Sequence, residues 1–249
     1  MGYIEDIQSC RNLNSLFELW KNKEPVQETF DKDKKLITVT INHAENYFIA
    51  DGIVDSDVWN AGTKKKILFV LKEAYGTDWD DNTLATWLRK EHPTVSIWSR
   101  VARWVYGLQN TTAAAVPRYK AELTQEQHQA ALDQIAVLNL KKSDGNSESE
   151  YGEIAAYARS DREEIKKEIE LIDPDIVVCG YTFGILLNEV YQADKGKTSD
   201  NWYYYLNLDG KERLYIDFYH PANHYPDLLN YYGITNIYQQ ALIEKAQRS

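Results

Sequence analysis

Hydrophobic positions along the chain follow two different periods. Leu13, Leu16, Phe17 and Trp20 recur at helical spacing and predict a helix over about 9–22. Residues 36–41 (Leu-Ile-Thr-Val-Thr-Ile) alternate and are β-branched, which predicts a strand. Three later segments, 67–71, 135–140 and 175–180, are continuous apolar runs, as expected of strands covered on both faces in a parallel sheet. Helices are expected between them. One spans 84–90, and another spans 95–108 with Ile97, Val101, Trp104 and Val105 on one face. Thr124 with Gln127, and Ser160 with Glu163, read as capping boxes that open helices over 125–134 and up to Asp173-Pro174. A further helix follows Gly184, carrying Ile185, Leu186 and Val190, and a terminal helix covers about 226–245. Asp209-Gly210 between the aromatic runs 202–208 and 212–219 signals a hairpin. Residues 141–149 read as a polar loop.

This order of elements predicts an α/β fold: a three-layer α/β/α sandwich with a central, mostly parallel four-stranded sheet. Residues 1–63 would form a helix and strand extension packed on a core of residues 64–249, one structural domain overall. In open parallel sheets ligands bind beyond the carboxyl ends of the strands, so candidate chemistry is sought there. Those ends carry Lys72-Glu73-Ala74-Tyr75-Gly76, Asn139-Leu140-Lys141-Lys142, Gly180-Tyr181 and His220-Pro221-Ala222-Asn223-His224. A carboxylate, an amide and an imidazole on one edge suit hydrolysis of a glycosidic or acyl bond.

These motifs, in this order over about residues 64–245, resemble the uracil-DNA glycosylase superfamily. Lys72 to Gly76 is similar to the Gly-Glu-Ala-Pro-Gly motif of one branch, with Lys72 and Tyr75 in place of the glycine and the proline. Val137-Leu138-Asn139 resembles the strand ending in the base-reading asparagine, 172–180 the strand before a glycine turn, and His220-Pro221-Ala222 the His-Pro-Ser or His-Pro-Ala motif. The resemblance implies a hydrolase of base-excision DNA repair that cleaves the N-glycosidic bond of a flipped, damaged base. Glu73 would orient the water, His220 would stabilise the leaving base and Asn139 would read the base edge. Tyr75, Trp79 and Tyr181 fall where a base could stack, and Lys72, Ala74, Lys141, Gly180, Pro221 and Asn223 complete the expected substrate site. The branch's iron–sulfur cysteines are missing, so no cofactor is expected. The expected partner is DNA carrying a damaged base.

Composition sharpens this reading. Twenty-eight basic against 38 acidic residues give a net charge of −10 in 249 residues. That excludes a broadly basic nucleic-acid coat and leaves room for a local groove, for which Lys72, Lys141 and Lys142 are the candidates. The same charge favours an alternative, a non-catalytic nucleotide- or protein-binding module on the same fold. Cys10 and Cys179 are the only cysteines, which excludes a disulfide scaffold and a four-cysteine metal site. His220 and His224 with Asp217 offer metal-ligand spacing, but Pro221 and Pro226 break the helix such a site would need. Arg100 and Arg103 fit an exposed helix face, with phosphate contact the other option. The N-terminal residues have neither the basic nor the apolar stretch of a signal peptide, and no apolar run is long enough to span a bilayer, so a cytoplasmic protein is expected.

Overall fold

The computed structural model describes residues 2–74, 83–145, 148–194 and 202–248. Two short helices come first, α1 (Tyr3–Ser9) and α2 (Leu13–Lys21). The helix expected over 9–22 is α2, which starts only at Leu13 because the Asn12 side chain caps it by accepting from the Ser15 N–H. A hairpin follows, β1 (Val26–Lys32) and β2 (Lys35–Ile41), paired with each other only. Then come β3 (Gly52–Ile53), α3 (Ser56–Asn60), β4 (Ile67–Glu73), α4 (Leu84–Glu91), α5 (Ser96–Asn110), α6 (Gln125–Asp133) and β5 (Ile135–Lys141). The Thr124–Gln127 capping box forms as expected.

The next two helices, α7 (Tyr151–Ser160) and α8 (Arg162–Ile172), correct the sequence reading. Helix α7 was not foreseen, and Ser160 ends it instead of capping α8. Asp161 stands at that junction with its carboxylate turned away, onto His43 and Lys23. The chain continues with β6 (Ile176–Gly180) and α9 (Phe183–Ile185), which runs into a π-helical turn over Leu186–Tyr191. It closes with β7 (Tyr203–Asn207), β8 (Glu212–Phe218) and α10 (Asp227–Arg248). The hairpin expected around Asp209-Gly210 is present, with Asn207 opposite Glu212.

The main sheet has six strands in the order β3-β5-β4-β6-β8-β7, not four. Four are parallel, β5-β4-β6-β8, and the short β3 and the hairpin strand β7 add antiparallel edges. The three continuous apolar runs, β5, β4 and β6, therefore occupy the central positions covered on both faces, as their unbroken apolarity requires, with β8 beside them. Side chains alternate between two cores. Ile67, Phe69 and Leu71 pack with Trp98, Trp104 and Ile234 from α5 and α10. Leu68 and Val70 pack with Ile154, Ile165 and Ile169 from α7 and α8. No described helix is long and apolar enough to cross a membrane.

The first 63 residues are built into this core. Gly52–Ile53 is an edge strand of the main sheet, and α1 and α2 pack on α8. Two buried ionic groups fasten that contact. In one, Lys23 Nζ lies 2.9 Å from Asp161 and 2.8 Å from Glu164, and Asp161 also meets His43 Nε2 at 2.9 Å. In the other, the fully buried Lys142 ammonium lies 2.5 Å from Asp51 Oδ1 and 2.8 Å from Glu168 Oε2. Burial and the neighbouring Asp51 carboxylate push Glu168 well above the usual carboxylate range. Of the two carboxyl groups on Lys142, Glu168 is the one whose burial and neighbours favour the protonated form. Replacing Lys142→Met should destabilise the fold by about 3–5 kcal/mol in urea denaturation, because Asp51 is left as an unpaired buried charge. Glu168→Gln should cost less, since an amide keeps the shape of a side chain whose charged form burial disfavours. Equal losses for the two would contradict this ordering.

Candidate functional site at the carboxyl edge of the sheet

Along the chain the four parallel strands come as β4, β5, β6 and β8, but in space they lie in the order β5-β4-β6-β8. The connection leaving β4 therefore turns toward β5, and the one leaving β6 turns toward β8. The ends of β4 and β6 flank the crevice where the topology reverses, the place such sheets use for ligands. At that crevice Lys72 Nζ sits 5.2 Å from the centre of the Tyr181 ring, a cation–π contact.

Backbone geometry sets Tyr181 there. Gly180 is tightly surrounded, since a Cβ would come within 2.8 Å of the Leu71 side-chain tip and 3.3 Å of Pro221. Tyr181 follows with a left-handed φ of 62°, uncommon for a bulky residue and a mark of local strain. Its N–H donates to the Phe218 carbonyl at 2.7 Å, tying the β6 end to β8. The neighbouring Thr182 hydroxyl donates to Val70 O of β4 at 2.7 Å. The Tyr181 ring is 58% exposed and meets Tyr151 of α7 edge-on at 6.0 Å. Tyr151 escapes sequence reading because α7 starts at Glu150-Tyr151-Gly152 without a Ser, Thr, Asp or Asn cap. The run Ile154-Ala155-Ala156 was its one available signal.

His220 follows β8. Its Nδ1 accepts from the Ala222 N–H at 3.2 Å, which places the ring proton on Nε2. Burial, with the Lys72 ammonium adding to it, pulls its pKa down to about 4. Burial likewise lowers Lys72 against the opposing pull of Glu73. The turn after His220 is held rigidly. Arg100 donates to the Pro221 and Asn223 carbonyls at 2.6 Å and to Asp227 at 2.6 Å, and Arg103 reaches the other Asp227 oxygen at 2.5 Å. These two arginines are thus a clasp between α5 and α10, not an exposed face or a phosphate site. The Asn223 amide is spent on His220 O and on a reciprocal pair with Asn230.

Other expected site residues point to internal partners. Asn139 is buried, and both its backbone N–H and its Nδ2 donate to Asp51 Oδ2, at 2.6 and 3.2 Å. Glu73 Oε2 meets Lys141 Nζ at 2.9 Å, and Lys141 also holds Glu153 at 2.9 Å. Gly145 is pressed against the Glu73 side chain, where a Cβ would stand 2.6 Å away, and its N–H binds the Ala74 carbonyl at 2.8 Å. The groove expected of Lys72, Lys141 and Lys142 is therefore corrected: Lys141 and Lys142 are buried and neutralised, and Lys72 alone of the three stays at the crevice. Tyr75 and Trp79 lie outside the described residues. Among the described residues no His, Cys, Asp and Glu cluster could hold a metal. Cys179 is buried, which raises its thiol pKa well above the usual value.

One cavity takes in the end of β8 at this edge, and another is lined by no strand residue. The first, of about 460 Å³, is walled by Trp202, Phe218, Tyr219, Tyr225 and Leu229. The other, of about 910 Å³, lies among α4, α5 and α6. Arg103 in its wall already faces the Asp227 carboxylate and His92 contacts Asp133, while Glu91 and Glu122 add negative charge. The strand-end chemistry, not cavity size, therefore marks the candidate site. In comparisons with known proteins, the chain matches no family model and no curated protein.

Because the folded-state pKa of His220 lies below the 6.5 of a free histidine, protonation favours the unfolded chain. The contribution of His220 to stability is complete above pH 6.5 and is lost as pH falls toward 4. An NMR titration of its imidazole should give a midpoint near 4, and Lys72→Met should raise it. A midpoint near 6.5 would refute the desolvated ring.

Proposed function

We propose that the carboxyl edge of the sheet takes a nucleobase and cleaves its N-glycosidic bond, as uracil-DNA glycosylases do. The observation that carries this reading is His220: a neutral ring with its proton on Nε2, held next to the Lys72 ammonium at the strand ends. When the glycosidic bond breaks, its electron pair goes to the base nitrogen. The Nε2–H donates to the resulting anion and Lys72 stabilises its charge, both set before the reaction begins. Water supplies the oxygen that ends on the anomeric carbon, and its proton leaves for the base or the solvent. Tyr181 and Tyr151 offer exposed ring surface on which an extruded base stacks. Glu73 has the motif position for orienting the water but is held by Lys141, so its part is to position the strand end as much as the water.

A second reading has its own support. Asn139 and Glu73, two of the three groups the reaction would use, are engaged internally. That arrangement favours a module which binds a base or nucleotide without cleaving it.

Alkali-induced strand scission on oligonucleotides carrying uracil, hypoxanthine or xanthine separates the two. We expect base release from at least one of them. His220→Ala should slow it about 10²–10³-fold, the usual effect of losing one donor to developing negative charge. Release unaffected by His220→Ala would refute its role. Salt-sensitive binding with no release from any substrate at high enzyme concentration would establish the second reading in place of the first.

A further inference from the structure

The hairpin β1–β2 stands apart from the main sheet, and its outer edge is open. Asp33 and Lys34 both have positive φ, 52° and 63°, so the two strands are joined by a two-residue primed turn. Such a turn makes Lys32 and Lys35 the first hydrogen-bonded pair, and the pairs then alternate along the ladder. Ile37 and Val39 thus spend their backbone groups on β1. Leu36, Thr38 and Thr40 direct their N–H and C=O groups outward, where no described residue takes them.

The inner edge is covered: Phe30 of β1 rests on Gly152 of α7, and Arg159 of α7 binds Glu28 and the Thr29 carbonyl. The outer edge has none of the usual protections. It holds no proline and no bulge, its one charge is the terminal Lys35, and Leu36 is 73% exposed.

We propose that this edge pairs with the same edge of a second copy of the chain, antiparallel about a two-fold axis through Thr38. In that register Thr38 faces its own counterpart and Leu36 faces Thr40. Each of these pairs exchanges both backbone hydrogen bonds, because all three residues present theirs outward. Ile37 then lies beside Val39 of the other copy, apolar against apolar, and Lys35 is carried to the far ends, away from its equivalent.

Charge supports a second copy as the occupant. Over residues 26–41 the acidic side chains Glu28, Asp31 and Asp33 balance Lys32, Lys34 and Lys35, so the hairpin is neutral (3 − 3 = 0) in a chain of net charge −10. Two copies that repel elsewhere meet here without repulsion. A seven-residue edge buries less than the roughly 1,000 Å² typical of stable interfaces, so the dimer is weak and concentration-dependent.

Sedimentation velocity of the full chain from roughly 1 to 300 µM tests this, a span in which weak dimers dissociate. The weight-average mass should rise from the monomer's 28.9 kDa toward twice that value. Thr38→Pro should stay monomeric across the series while keeping its near-UV circular dichroism, because the Thr38 N–H is not used within the hairpin. Thr38→Cys should form an intermolecular disulfide under mild oxidation and Thr40→Cys should not, since only a residue on the axis meets itself. A monomer at every concentration, a dimer that survives Thr38→Pro, or equal cross-linking of the two cysteine variants would each overturn the proposal.

Discussion

A buried ammonium on Lys142 is the constraint on which most of this structure turns. An ammonium without solvent costs several kcal/mol unless it is paired and hydrogen-bonded. The partners here come from far along the chain, Asp51 just before β3 and Glu168 on α8. The N-terminal segment therefore cannot detach without leaving an unpaired charge inside the protein. It is part of the core despite its position ahead of the first buried strand. The rings of Phe17 and Trp20, 5.4 and 5.0 Å from the ammonium, add a second tie between α2 and the end of β5.

The same network shapes the carboxyl edge. Lys142 directly follows β5, and Asp51 accepts from both the backbone N–H and the side-chain Nδ2 of Asn139, which turns that amide toward an internal partner. The following residues bring Gly145 onto Glu73, beside the Lys141 contact. Polar groups on the β5 side are thus matched internally. Across the crevice Lys72, Tyr181 and His220 are set by backbone constraints: Gly180, a left-handed Tyr181 and a turn clasped by Arg100. One half of the edge maintains the fold, and the other half is the one on which the proposed ligand site rests.

This division explains what could be read from the sequence. Three parallel strands were legible because burial on both faces demands unbroken apolar runs, and the fourth was legible as an arm of the hairpin that Asp209-Gly210 marks. Strand β3 escaped because two residues give no period. Helix α7 escaped because its cap is a glutamate. The strand-end positions of the site residues were also legible, since they follow from topology. The partners of Asn139, Lys141 and Lys142 were not. Asp51 and Asn139 are 88 residues apart, and nothing local distinguishes a lysine that faces a phosphate from one that faces a buried carboxylate.

The neutralisation of Lys141 and Lys142 also bears on what the edge could recognise. Affinity for duplex DNA grows with the number of phosphates a surface neutralises, and several are needed for useful binding at moderate salt. At this crevice the three lysines expected to provide that field are reduced to one, in a chain of net charge −10. One ammonium answers to about one phosphate. On the function proposed above, the rest of the binding energy would come from ring stacking on Tyr181 and Tyr151, about 1–3 kcal/mol per base, and from the hydrogen bond of His220. Such a surface would discriminate by the face and edge of a single base rather than by the length of a phosphate backbone. A base already out of its stack, or one that leaves it easily, suits it better than an intact duplex, whose extrusion the crevice has little charge to offset.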